Sequence, residues 1–320
     1  MVDTFTLGRT FTENKGAINS LDFHRVSDLL VTSGDDDSIR LYDTSRGTLI
    51  KTLYAKQCGV GCVVFTHHQN AVICASKHEE YPDDDSIRYL SLYDNRYLRG
   101  FKGHMGPVTS LCMNPKDDTF VSSCQDNTVR FWDLRAVSCQ AMINTDCSHS
   151  PYAAFDEQGL VLAVSAADGL IKLYDVRSYD KGPFVTFPTV MGLNREPLRL
   201  DFFKFSNDGK TMLATGSQAL CVLDAYLGSV KHLLKLTPSS KRSSSAVRYE
   251  VACSADGKYA VAGGGDGVIR TWSNSTGEHV ASWRGLAGAT PLVKWAPNAN
   301  LVASAGTDGI LSLWIGASYL

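Results

Sequence analysis

An excess of positive charge is missing from this chain: 31 Lys and Arg stand against 33 Asp and Glu, a formal net charge of −2 over 320 residues. So even a balance exerts no global pull on phosphate backbones or anionic lipid, and direct nucleic-acid binding is not expected. No run approaches the roughly eighteen apolar residues of a membrane helix, and Asp3 stands where a secretory leader would carry positive charge. The expectation is a soluble, intracellular protein that makes no membrane contact. Paired cysteines are also lacking. Nine cysteines, with only Cys58 and Cys62 close together, fit reduced thiols better than a disulfide framework, and they fall short of the four convergent ligands of a zinc site. There is no Gly-x-Ser-x-Gly elbow, no Gly-x-x-x-x-Gly-Lys phosphate loop and no His-Glu-x-x-His helix. The glycine run at 263–267 is not followed by a helix whose N-terminus would hold phosphate. We therefore expect a chain that is not an enzyme and carries neither cofactor nor metal.

What the sequence does have is apolar content, 44% hydrophobic and 10% aromatic, enough for a large core. That content is periodic. A short apolar strand ending in a large residue, usually followed by Asp, recurs seven times, at Tyr42, Tyr93, Trp132, Tyr174, Leu223, Trp272 and Trp314. The interval is about 45 residues, the length of a four-stranded propeller blade. Asp208-Gly209 and Asp256-Gly257 supply the turn chemistry of hairpins between the first two strands of repeats five and six, and the first strand of repeat six reads as 247–253. The expected fold class is all-β, a single seven-bladed β-propeller over residues 1–320 with almost no helix. Because the last repeat stops after its third strand, the N-terminal segment 3–12 is expected to pair with the last blade and close it.

Repeat three holds His104, Ser122, Asp126 and Trp132, whose imidazole, hydroxyl, carboxylate and indole can satisfy one another in a buried relay. In residue types and order this resembles the structural tetrad of WD-repeat propellers. Parts of the relay recur as Thr32, Asp36 and Tyr42 in repeat one, Asp168 and Tyr174 in four, Asp266 and Trp272 in six, and Ser304, Asp308 and Trp314 in seven. In repeat five Ser217 stands where Asp is expected.

Longer stretches are more specific than the repeat. The segments 86–95 (Ser-Ile-Arg-Tyr-Leu-Ser-Leu-Tyr-Asp-Asn) and 180–187 (Asp-Lys-Gly-Pro-Phe-Val-Thr-Phe) are not required by a propeller. Together with 118–120, 131–135 and 205–210 they resemble the Swd-two-type WD-repeat proteins. That resemblance implies a nuclear, non-catalytic scaffold subunit of COMPASS-type histone lysine methyltransferase complexes. It also implies a place in nuclear assemblies with a type-one phosphatase and its targeting subunit, acting in transcription termination and RNA 3′-end processing. The implied partners are the methyltransferase catalytic subunit and the phosphatase-targeting subunit, with the RNA polymerase tail as a further candidate and the propeller itself monomeric within its complex.

Several residues remain as candidate contacts. Asp35 and Asp37 in repeat one, and Glu79, Glu80, Asp83, Asp84 and Asp85 in repeat two, fall between second and third strands; they read either as solvated loops or as a negative rim for a Lys/Arg-rich partner peptide. Tyr249, at the start of repeat six, reads either as an exposed partner anchor or as packing between blades. The Ser-rich segment 239–245 reads as a flexible loop or a phosphorylation or docking site. His67-His68 reads as a solvated turn. Arg135 and Arg177, each following a repeat terminator, resemble the signature of WD-repeat substrate receptors of cullin-type ubiquitin ligases, the alternative function.

Overall fold

A computed structural model describes residues 5–55, 59–77, 86–147, 150–191, 196–197, 200–216, 219–237, 248–284 and 288–316. The fold is all-β, a seven-bladed propeller, with no α-helix among the described residues. The chain forms two compact units, Asn19–Thr186 and Met1–Ile18 with Phe187–Leu320.

Strand β1 (Phe5–Phe11) precedes the repeats. Blade one is β2 (Ile18–Phe23), β3 (Leu29–Gly34), β4 (Ser38–Asp43) and β5 (Thr48–Tyr54). Blade two is β6 (Val63–Phe65), β7 (Ala71–Ala75), β8 (Ile87–Ser91) and β9 (Arg96–Phe101). Blade three is β10 (Val108–Met113), β11 (Thr119–Cys124), β12 (Thr128–Asp133) and β13 (Ala141–Asn144). Blade four is β14 (Ala153–Phe155), β15 (Val161–Ser165), β16 (Leu170–Asp175) and β17 (Val185–Pro188). A two-stranded ribbon, β18 (Val190–Met191) and β19 (Glu196–Pro197), leads into blade five: β20 (Phe202–Phe205), β21 (Thr211–Thr215), β22 (Ala219–Asp224) and β23 (Val230–Lys235). Blade six is β24 (Val251–Cys253), β25 (Tyr259–Gly263), β26 (Val268–Ser273) and β27 (His279–Arg284). Blade seven is β28 (Leu292–Trp295), β29 (Leu301–Ala305) and β30 (Leu311–Gly316), and its fourth strand is β1, antiparallel to β30 from Phe5↔Gly316 to Phe11↔Leu311.

Within blades one to six the strands pair in chain order, as short hairpins dictate. The second strands β7, β21 and β29 are buried along their whole length. Their sequences, such as Ala-Val-Ile-Cys-Ala, are continuous apolar runs, the composition of a strand covered on both faces. The cover comes from the next blade: Val31, Ile39 and Leu53 of blade one form one cluster with Val63, Val72 and Leu90 of blade two. Outer strands such as β9 and β23 are largely exposed.

Polar side chains tie successive blades at their turns. His24 Nε2 lies 3.4 Å from the His67 carbonyl, His67 Nε2 lies 2.9 and 3.1 Å from the Asp117 and Asn114 carbonyls, and Asn114 Nδ2 donates to Gly159 O at 3.4 Å. His67 is thus more than a solvated turn residue. A second set of ties leaves the outer strands. Lys51 Nζ donates to Leu92 O and Tyr93 O (3.0 and 2.6 Å), Arg99 Nη1 to Leu134 O (2.8 Å), and in the other unit His232 Nε2 meets Ser275 O (3.1 Å).

One strand is shorter than the sequence suggests. Ladder pairing in blade six begins at Val251, because the Glu250 amide donates to Pro291 O of blade seven at 2.8 Å instead. The N-terminal strand is anchored by Phe5, whose ring stacks on Trp283 (4.8 Å between centroids) and meets Trp295 edge-on (5.3 Å). Truncating this buried ring leaves a cavity, so Phe5→Ala is expected to lower stability by about 3–5 kcal/mol. Chemical denaturation followed by tryptophan fluorescence checks this, and an unchanged midpoint would disprove the anchoring role.

Candidate functional site

In blade three, β11 and β12 are neighbours with Phe120 opposite Trp132 and Ser122 opposite Arg130, which brings Trp132 beside Ser122. The Trp132 indole N–H donates to Ser122 Oγ at 2.8 Å, and Ser122 Oγ lies 2.6 Å from His104 Nε2. His104 Nδ1 lies 3.2 Å from Asp126 Oδ2. One proton assignment satisfies every group: indole to hydroxyl, hydroxyl to Nε2, Nδ1–H to carboxylate. Thr128 joins this set, donating its hydroxyl (2.6 Å) and amide (3.0 Å) to Asp126 Oδ1, while the Met105 amide donates to Oδ2 at 3.0 Å. Burial opposes ionisation of Asp126, but these donors and His104 hold its carboxyl well below the usual carboxylate range. Burial lowers His104 against the opposing pull of Asp126, so the ring is neutral at pH 7.

The other blades solve the same problem differently. Blade seven keeps half of the relay, Trp314 Nε1 donating to Ser304 Oγ at 2.9 Å. In blade one Thr32 Oγ1 is buried without a hydrogen-bond partner. Asp36 there is gripped by Arg40 through Nη2–Oδ2 (2.7 Å) and Nη1–Oδ1 (3.3 Å). Blade six has the same fork, Arg270 on Asp266 at 2.5 and 3.1 Å. Asp168 of blade four is exposed in a left-handed turn, φ 58°. The partial relays expected in blades one and six are therefore replaced by Asp–Arg forks; the Asp-x-x-x-Arg spacing does not announce them, since blade three has it at Asp126 and Arg130, where Arg130 reaches Thr128 instead. Ser217 lies outside the described residues.

The surface candidates are dispersed. Asp35 is exposed but ion-paired to Lys77 at 2.6 Å, and Asp37 occupies the left-handed corner of the same turn, φ 58°. Glu79, Glu80, Asp83, Asp84 and Asp85 lie outside the described residues, as does the segment 239–245. Tyr249 is a correction: at 4% exposure it is buried, its carbonyl accepts the Thr215 hydroxyl at 2.5 Å, and a ring so enclosed cannot anchor a partner. Arg135 is exposed and folded back on its own Asp133 at 3.1 Å, and Arg177 is exposed with its amide on Asp175 Oδ1.

The comparisons agree with this architecture. Residues 5–43, 95–133 and 236–273 match the model of the WD domain, G-beta repeat. The chain is similar to the WD repeat-containing protein 82 of Drosophila melanogaster, 38% identical over 99% of this chain and 96% of that protein. It is similar to the COMPASS component SWD2 of Saccharomyces cerevisiae, 31% identical over 81% of this chain and 77% of that protein. The chain belongs to the Swd2-type WD-repeat family. A plant relative, named Protein ANTHESIS POMOTING FACTOR 1 in Arabidopsis thaliana, is 41% identical over 98% of this chain and 92% of its own length.

In this Swd2-type propeller, His104, Cys124 and Asp126 place a nitrogen, a sulfur and an oxygen within 4.8 Å of one another. Burial pushes the Cys124 thiol up to about 12, and that thiol donates to Gly106 O at 3.1 Å, so the cluster reads as the interior of the relay and not as a metal centre. All eight described cysteines are free; Cys58 lies outside them.

Ser122→Ala removes the acceptor of a buried indole and is expected to cost about 1–3 kcal/mol, whereas Thr32→Val at the equivalent position of blade one, where nothing is lost, should be close to neutral. Urea denaturation of the two variants compares them directly, and equal losses would refute the relay. The relay also contributes to the acid limb of stability. Asp126, depressed on folding, contributes fully above its unfolded value near pH 4 and loses that contribution as pH falls toward its folded value; His104, also depressed, destabilises as pH falls below about 6.5 because the unfolded chain takes up its proton first. The unfolding midpoint should be flat near pH 7–8, begin to decline as pH falls below about 6.5, and fall further below pH 4. His104→Gln should flatten the first decline, as a pH series of thermal melts will show.

Proposed function

We propose that this chain is a non-catalytic scaffold subunit of a nuclear Set1/COMPASS-type histone lysine methyltransferase complex. The observation that carries this reading is the likeness to COMPASS component SWD2 over 81% of the chain, together with the near-complete likeness to WD repeat-containing protein 82. Two features support it: the polar cluster of blade three is spent on internal hydrogen bonds, and described turns such as those at Arg135, Arg177 and Tyr226 are exposed to partners. The same scaffold would serve phosphatase assemblies acting in transcription termination and RNA 3′-end processing, with the phosphatase-targeting subunit as partner. The acidic residues Asp35, Asp37, Glu79, Glu80, Asp83, Asp84 and Asp85 are the contacts we assign to a basic partner segment. Lys77 already neutralises Asp35, so the repeat-two residues carry most of that charge.

Purification of the tagged chain from nuclei, with identification of co-purifying proteins, tests the assignment. Methyltransferase subunits, and in a separate fraction phosphatase-targeting subunits, are expected, and Arg135→Ala with Arg177→Ala should leave both in place. Stoichiometric cullin and adaptor, lost in that double variant, without any methyltransferase or phosphatase subunit would replace the scaffold reading with the ligase-receptor one.

A further inference from the structure

The hairpin between β22 and β23 carries the densest run of exposed apolar side chains in its unit. Tyr226 and Leu227 at its tip are 75% and 79% exposed, and Val230 and Leu233 on β23 are exposed as well. The tip is held rigidly. Asp224 Oδ1 accepts the amides of both Tyr226 and Leu227 at 2.9 Å, the Gly228 amide donates to Asp224 O at 2.9 Å, and the Asp224 amide to Ser229 O at 2.8 Å. Gly228 stands at φ +66°, where a Cβ would come within 2.0 Å of the Phe187 ring, so no other residue fits and the turn is pressed against that ring. Two large apolar side chains on a turn fixed from both sides lose little entropy when a partner covers them.

The pairing register adds a second observation. A bulge between Val222 and Leu223 opposes Cys221 to Leu233 and Leu223 to Val230. Without it Val230 and Leu233, three residues apart, would point to opposite faces; with it they share the face of Cys221 and Leu223, and Lys235, opposite Ala219, joins them. β23 is the last strand of its sheet, and its outer edge pairs with no strand among the described residues. The hairpin's charge is one-sided. β23 contains Lys231, His232 and Lys235 and no carboxylate, and the hairpin's Asp224 is occupied by Lys231 at 2.9 Å.

We infer that β23 is a docking edge for an extended partner segment in which acidic residues alternate with aliphatic ones, adding as a fifth strand so that its aliphatic side chains cover Val230 and Leu233, its acidic ones meet Lys235, and the Tyr226–Leu227 tip anchors one end. Main-chain hydrogen bonds to an open edge supply affinity, while the apolar face and the lysine select the sequence. A bare, uncharged edge would invite pairing with any strand; Lys235, which has no carboxylate partner on the hairpin, blocks that and admits only a segment that neutralises it.

The test uses the full chain carrying benzoylphenylalanine at position 226, irradiated in nuclear extract, with the crosslinked peptide read by mass spectrometry and a second probe at Val137, an exposed turn residue of blade three, as control. The expected product is an acidic, aliphatic segment of another protein. Its yield should fall at least about fivefold with Lys235→Glu and recover with Lys235→Arg, at unchanged melting temperature. In the isolated crosslinked complex the amides of residues 230–235 should exchange more slowly than in the free chain. A basic segment, a second copy of this chain, this chain's own residues 238–247, or a yield no higher than at position 137 would each overturn the inference. Methyltransferase subunits that co-purify normally in the absence of any crosslink would leave the scaffold reading standing and remove this one.

Discussion

Each blade has two apolar faces, and neither can be left to water. A strand such as β7, Ala-Val-Ile-Cys-Ala, is buried on both sides only because blade one covers one face through Val31, Ile39 and Leu53 and blade three covers the other through Val108, Leu111 and Phe120. At about 25 cal/mol per Å² of apolar surface removed from water, this reciprocal covering outweighs any single polar contact in the molecule. It also dictates where glycine must stand. A Cβ at Gly263 would lie 1.9 Å from Thr290 O, so the close approach of blades six and seven is written into that residue.

Covering apolar faces leaves the polar groups at blade ends to be satisfied, and the chain uses two devices for this. The relay of blade three is neutral at its buried end and ionic only at Asp126, so each hydrogen bond contributes about 1 kcal/mol net while the loss of any member exposes the others to a larger desolvation cost. The Asp–Arg forks of blades one and six are ionic throughout. The Arg40–Asp36 fork is nearly sealed from solvent and stands or falls as a pair, whereas the Arg270–Asp266 fork is partly wet and contributes less. The ties from Lys51, Arg99 and His232 to the turn of the following blade act at the periphery, where long side chains reach main-chain carbonyls of the neighbour.

A frame locked in this way is suited to presenting loops rather than to moving, which agrees with a scaffold subunit. Asp133 and Asp224, the last residues of β12 and β22, accept the amides of the turns that follow them, and the donors around them hold their carboxyls below the usual carboxylate range. Of these turns, the one after β22 displays Tyr226 and Leu227 to solvent, whereas Arg135 after β12 is folded back on its own Asp133.

The repeat number, the strand order within blades, the N-terminal fourth strand of blade seven and the four members of the complete relay were all legible in the sequence. They follow from local rules: strand alternation, turn chemistry and a fixed period. The partner of Asp36, the burial of Tyr249, the late start of β24 and the carbonyls held by His67 were not legible. Each depends on which atom of another repeat, or of another strand, arrives within about 3 Å, and no local pattern encodes that distance. The bulge that turns Val230 and Leu233 to one face belongs with them, because strand register is decided by the paired sheet as a whole. By itself the sequence determined which elements form and in what order; the tertiary structure decided which side chains are spent on holding blades together and which are left facing water, since that division is made only when neighbouring blades close over one another.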